Sequence, residues 1–324
     1  MSTRNQNCYF PLQKGRYEVT PGLHVLGTDF GNGPDDKLIF QIDANFSRYR
    51  DEKITARKES LEKYYCVEAL APNKKSYIAR FIMHRLCQEH PTLFRYQLQN
   101  NHHHLLCRLT GDNLIFDPDF ILLVTPPDSN GYVDNLDGLA LQMQEDFALV
   151  EISDKRHDRI TALHLCFPNH WAAEEKIGQS FLSSHAPVPG MARINQHANQ
   201  LLNSLLNRGP FVRFAWGLAT DNRLNHHPVA PEYTNNDQWQ GRRFDSANPE
   251  LYLRVERQVI QGFPAIETLL FTIRTYFYDI ATLKQSPEKR QALQSALQSM
   301  SAATLHYKGL AQNLPLILDW LDLK

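Results

Sequence analysis

The sequence lacks any long apolar run. Its longest strongly apolar stretch, Phe120 to Val124, falls far short of the roughly 18 residues a membrane-spanning helix needs. It also lacks a basic-then-apolar leader pattern at its amino terminus, so a soluble, cytoplasmic protein is expected. Cysteine is scarce: Cys8, Cys66, Cys87, Cys107 and Cys166 are scattered and never spaced C-x-x-C, which argues against a disulfide framework or a cysteine zinc site. Excess charge is missing too. The formal net charge is −1, so no basic surface for nucleic acid is expected. Absent as well are H-E-x-x-H, G-x-S-x-G, the P-loop and G-x-G-x-x-G, which removes support for zinc proteases, serine hydrolases and nucleotide-cradling enzymes.

What is present is a globular composition and many histidines. With 324 residues, 42% hydrophobic and 21% charged, the chain can bury a sizeable core. The 14 histidines offer acid-base and metal-ligand chemistry near neutral pH.

Periodicity divides the chain into three. Residues 1–135 read as a mostly helical region, with helices over Ala56 to Leu70 and after Pro72-Asn73, the second ended by Pro91. A turn-rich segment, Thr125 to Gly131, precedes a core over residues 136–285. There a short helix at Leu139 to Met143 leads into strands at Phe147 to Ile152 and Ile160 to Phe167, joined by the polar turn Ser153 to Asp158. Short helical pieces and a helix from Met191 to Asn207 follow. Strands at Phe211 to Leu218, Leu251 to Ile260 and Thr268 to Tyr278 complete the core. The order β-β-α-α-β-β-β predicts an α+β fold with a PAS-like antiparallel sheet. Residues 286–324 read as a helical tail opened by Ser286-Pro287.

Most histidines read as bystanders. His102-His103-His104 are adjacent, so their side chains diverge, and a solvated loop is expected. His84, Cys87 and His90 do not share one helix face, and His226-His227 sit in a polar loop before Pro228. His185 differs, because it precedes Pro187-Val188-Pro189, whose prolines restrict the backbone. It is read either as a helix-end cap or as a ligand held at a set angle. His197 shares a helix face with Ile194 and Leu201, and is either a satisfied buried histidine or a reserve ligand. Charged residues within strands, among them Arg254, Glu256 and Arg274, either face solvent or line a pocket.

Several motifs in order carry a family resemblance. Phe167-Pro168-Asn169-His170-Trp171, Glu175-Lys176-Ile177-Gly178 and His185-Ala186-Pro187-Val188-Pro189 resemble signatures of the haem-dependent oxidative N-demethylase family, alpha-subunit type. Gln144-Glu145-Asp146, Arg254-Val255-Glu256-Arg257-Gln258 and Phe271-Thr272-Ile273-Arg274-Thr275-Tyr276 also resemble family motifs, and Gly22-Leu23 and Ile42-Asp43 fit more loosely. The resemblance is strongest over residues 139–280. It implies a PAS-like domain with b-type haem that uses O₂ to oxidise a small amine, fed by a separate flavin and iron–sulfur reductase. This chain shows no motif for either reductase cofactor.

On that basis His185 is the expected iron ligand, with His197 in reserve. Lys176, Arg213, Arg257 and Arg274 become candidates for haem propionates or pocket charges. Glu256 is expected to hold an amine cation or relay a proton, with Trp216 and Tyr276 as aromatic walls. The family tends to have R-x-N-W where this chain has Arg213-Phe214-Ala215-Trp216, which leaves the substrate open. The alternative function is a non-catalytic haem-binding sensor or gas-binding module, and a scaffold that has lost haem is the third.

Overall fold

Clusters of β-branched and aromatic residues become long strands. In the computed structural model, which describes residues 6–123, 131–153, 158–240 and 243–323, the strands are β1 (His24–Val25), β2 (Tyr65–Val67), β3 (Phe94–Gln99), β4 (His102–Cys107), β5 (Asn113–Phe116), β6 (Asp146–Ile152), β7 (Asp158–His164), β8 (Phe211–Ala219), β9 (Tyr252–Phe263) and β10 (Thr268–Asp279). The helices before the main strands are α1 (Phe46–Tyr64), α2 (Pro72–Glu89) and α3 (Asn135–Ala140). Between β7 and β9 lie α4 (Ala173–Lys176), α5 (Phe181–His185), α6 (Ala192–Gln196), α7 (Ala198–Arg208) and α8 (Asn236–Gln240). After β10 come α9 (Ile280–Leu283), α10 (Pro287–Gln298), α11 (Ala302–Tyr307) and α12 (Leu314–Asp322).

The five core strands expected from sequence correspond to β6 through β10 with small changes at their ends. They form a mixed α/β structure around an antiparallel seven-stranded sheet, ordered β1-β8-β9-β10-β6-β7-β2. Both outer strands, β1 and β2, come from the amino-terminal region. That region is less helical than its periodicity suggested, since β3, β4 and β5 form a separate antiparallel sheet. His102-His103-His104 open strand β4 rather than lying in a loop, and Tyr96 Oη lies 2.9 Å from His103 Nδ1. Most of the expected turns at Thr125 to Gly131 and at Ser153 to Asp158 lies outside the described residues.

Alternation along each strand sends its side chains to two different covers. One face carries Val212 and Phe214 of β8, Val255 and Val259 of β9, and Leu270 and Tyr276 of β10. It packs on Ile39, Ile82 and Leu136 at one end, and on Tyr9, Leu297 and Ile317 at the other. This is the terminal face, because both chain termini help to cover it. On the opposite, helical face, Ile260, Leu269 and Phe271 pack against Phe181 of α5 and Leu202 and Leu205 of α7.

One close approach sets the position of α7. A Cβ on Gly262 of β9 would lie 2.1 Å from the Leu206 carbonyl oxygen and 2.6 Å from that of Leu205. Only glycine lets the end of α7 lie this close to the sheet. The tail begins as its sequence indicates, with the Ser286 hydroxyl accepting from the Lys289 amide and Pro287 in the first turn of α10. No described helix is long and apolar enough to cross a membrane.

Candidate haem site on the helical face

The terminal face gathers three of the expected site residues into a structural network. Arg274 Nη2 donates to Asp43 Oδ2 at 2.8 Å, and its guanidinium lies 3.9 Å from the Tyr49 ring centroid. Gln144 bonds the same Asp43 through its backbone amide and its carboxylate. The Tyr276 hydroxyl donates to the Gln41 side-chain carbonyl, and Arg257 Nη2 donates to the Leu38 carbonyl at 2.7 Å. Arg257, Arg274 and Tyr276 are all essentially inaccessible. They tie the amino-terminal segment to the sheet and lie on the face opposite His185, so the expectation that they share its pocket is not met. Glu145 belongs to the same network, accepting from the Gln41 amide. Burial pushes its carboxyl up to about 7, against the lowering effect of Arg274.

Trp216 is displaced for the same reason. By alternation it falls with the terminal-face residues, and it packs against their cluster instead of walling the His185 side. Its indole meets the Tyr17 ring edge-on at a centroid distance of 5.7 Å.

His197 is not buried. A continuous helix from Met191 to Asn207 would turn it inward, but the helix breaks at His197 itself, whose φ of −116° and ψ of 15° separate α6 from α7. The side chain is therefore exposed, with Nδ1 3.0 Å from Gln200 Oε1.

His185 ends α5, over the helical face. Its Nδ1 lies 2.8 Å from the Phe181 carbonyl oxygen, and the two rings are 4.4 Å apart. A carbonyl can only accept, so Nδ1 carries the proton in this bond and Nε2 is left as the free lone pair. Burial lowers the imidazole pKa. The Phe181 carbonyl acts against that, and the positive charges of Arg213 and Lys176 add to the lowering. The ring is thus held neutral and oriented, as a metal-ligating histidine must be.

Cations without acid partners surround this histidine. Lys176 Nζ donates to the Ser184 carbonyl at 2.7 Å, which fastens α4 to α5. Arg213, on β8, makes no side-chain hydrogen bond and no ion pair within 4 Å among the described residues, and its Nε is buried without a partner. The register sets Arg213 opposite Gln258 and Ala215 opposite Glu256. Glu256 is 13% exposed in its side chain and accepts from Gln258 Nε2 at 3.0 Å, with Arg254 Nη2 3.6 Å away. Lys176, His185, Arg213 and Glu256 are therefore the expected residues that converge.

Neutral imidazole plus unpaired cations fits haem in two respects. The free Nε2 can ligate iron, and Lys176 and Arg213 can take up propionates. Buried cations without partners are costly unless an anion accompanies them.

Sequence reasoning missed two buried histidine clusters. His226 and His227 lie in a loop as expected, but one that is buried, each being 1% exposed. His226 Nε2 lies 2.8 Å from Asp221, while its Nδ1 lies 3.2 Å from Arg254 Nη1. His164 lies between Asp137 at 3.2 Å and Cys166 at 3.8 Å. Ligand atoms of Asp146, His164 and Cys166 fall within 4.8 Å of one another, but Lys53 Nζ lies 3.7 Å from Asp146 and already supplies the positive charge. The alternating pattern of β7 marked His164 as inward or outward, and nothing local said which.

A family model described as haem-dependent oxidative N-demethylase, alpha subunit-like, matches residues 33–317, which includes both sheet faces and most of the tail. The chain therefore belongs to the haem-dependent oxidative N-demethylase alpha-subunit-like family.

Proposed function

We propose that this chain is a haem b-binding oxidoreductase subunit that uses O₂ to oxidise a small amine, with electrons from a separate flavin and iron–sulfur reductase. The observation that carries this reading is His185, whose Nδ1 is engaged by Phe181 while Nε2 stays free beside the unpaired charges of Lys176 and Arg213. The core is PAS-like on this reading. Numbered by their appearance from β6 onward, its five strands are ordered second, first, fifth, fourth, third across the sheet, which supports that description. The five free cysteines suit a reducing, cytoplasmic setting.

Haem iron, when bound, supplies O₂ binding and reductive activation. The chain's own residues do the rest. His185 would hold the iron through Nε2, and Lys176 keeps α5 in place through the Ser184 carbonyl. Glu256, aimed by Gln258, takes the amine cation or accepts its proton in a partly desolvated setting. Arg213 offers its guanidinium to a carboxylate.

Absorption spectroscopy tests the proposal. After reconstitution with haem the protein should show a Soret band that His185→Ala loses and His197→Ala keeps. A protein that stays colourless would overturn it. Reduction, then O₂ and a secondary amine, should yield formaldehyde, whereas a stable oxygen complex without amine consumption would identify a gas-binding module instead.

A further inference from the structure

The helical face of β8 carries only small side chains between two cations. Arg213, Ala215 and Gly217 succeed one another on that face, and same-face neighbours on a strand are roughly 7 Å apart. At the Gly217 end a side-chain Cβ would lie 3.9 Å from Lys308 Nζ. Lys308 follows α11, in the carboxy-terminal tail, and its ammonium donates to the Trp216 carbonyl at 2.7 Å. It lies 5.1 Å from the Tyr17 ring centroid and 5.7 Å from that of Trp216, so two aromatic faces and one carbonyl hold it in place. No acid lies within 4 Å of Lys308 or Arg213 among the described residues. Glu256 sits directly opposite Ala215, between the two cations.

We infer that this trough binds a zwitterionic amine, an N-alkylated amino acid, with Glu256 taking the ammonium and Arg213 and Lys308 the carboxylate. The inference rests on the amine-oxidising reading above and specifies its substrate class. Charge is the reason. Arg213, Lys308, Glu256 and Arg254, whose Nη2 lies 3.6 Å from Glu256, sum to two positive charges, and a simple alkylammonium would raise this to three. A zwitterion leaves the sum unchanged and gives each unpaired cation an anion to face. Burial, only partly opposed by Glu256, also lowers the Lys308 ammonium, to about 8. The site is therefore at its most positive below that pH. The small Ala215 methyl, between Arg213 and Gly217 on this face, leaves room for a carboxylate.

Calorimetric titration of the haem-free full-length chain provides a test that does not depend on haem loading. N,N-dimethylglycine should bind at least tenfold more tightly than dimethylamine. That preference should fall severalfold in Arg213→Gln and in Lys308→Met, be partly restored in Arg213→Lys, and weaken above pH 8 in the wild type. Glu256→Gln should weaken both ligands. Circular dichroism identifies any variant that fails to fold, and Arg213→Lys then carries the test. Equal affinity for the two amines, or a preference that survives Arg213→Gln and Lys308→Met, would overturn the inference.

Haem propionates are the other source of carboxylate. Were they the true partners, Arg213→Gln would weaken haem b but leave haem dimethyl ester unaffected, and the amino-acid preference would be absent in the wild type. That result also refutes the zwitterion site while leaving the haem reading intact. A colourless protein that nonetheless prefers dimethylglycine would do the reverse.

Discussion

Arg257 and Arg274 on one face of the central sheet and Arg213 on the other are used in opposite ways. On the terminal face, Arg274 is matched by Asp43 and stacked on Tyr49, and Arg257 donates to the Leu38 carbonyl. On the helical face, Arg213 has no hydrogen-bonding partner, and neither Lys176 there nor Lys308, beside Gly217 and Trp216, faces an acid within 4 Å among the described residues. A guanidinium that is buried and matched fixes the chain, because removing its partner strands a charge. One that is buried and unmatched keeps its hydrogen-bonding capacity for something else. The difference separates scaffold from site more clearly than burial does, since both faces are largely covered.

The strongest way to break the comparison is to strand a charge on the terminal face. Asp43→Ala should cost roughly 3–5 kcal/mol by leaving Arg274 buried without its carboxylate, read as a lower urea midpoint. Haem bound per folded molecule should not change, and a specific loss of haem in this variant would show that the faces are not separate. Next in size, Gly262→Ala forces a methyl against the Leu206 and Leu205 carbonyls and should cost about 3 kcal/mol by displacing α7. This is a packing effect on the helical face, and thermal unfolding should report it without haem.

A smaller effect comes from Glu145, whose carboxyl is raised to about 7 by burial. Between pH 4.5 and 7 the folded chain holds a proton that the unfolded chain has released, so this group's contribution to stability falls as pH rises through that window. Glu145→Gln should remove that decline, a slope of at most about 1.4 kcal/mol per pH unit. Urea midpoints at pH 5, 6 and 7 would show it. Asp137 gives the opposite sign. Burial would raise its carboxyl, but His164 and Arg57 outweigh this and bring it to about 2, so its stabilisation is lost as pH falls below about 4. The smallest stability change is expected at the site itself. Arg213→Gln should alter the urea midpoint by no more than about 0.5 kcal/mol equivalent, because it breaks no protein contact. A large loss there would move Arg213 to the scaffold.

The core strands were legible because strand periodicity is local: β6 to β10 follow from alternation and β-branching between turn signals. The small sheet β3–β4–β5 was not, since its three histidines and glutamines carry no such pattern. The iron-ligand candidate was legible through its setting before Pro187-Val188-Pro189 and through the family motifs. His197 misled because helical periodicity cannot foresee a break at the histidine itself.

By itself, the sequence determined the order of the core elements, the family, and the short list of charged residues inside strands. It could not divide that list. Arg213, Glu256, Arg257 and Arg274 look alike in a strand pattern, where period two says only that neighbours point in opposite directions. The cover over each face is built from segments far away in the chain, Gln41 and Asp43 on one side and α5 on the other. Only the tertiary structure therefore decided which charges meet a partner and which stay open to a ligand.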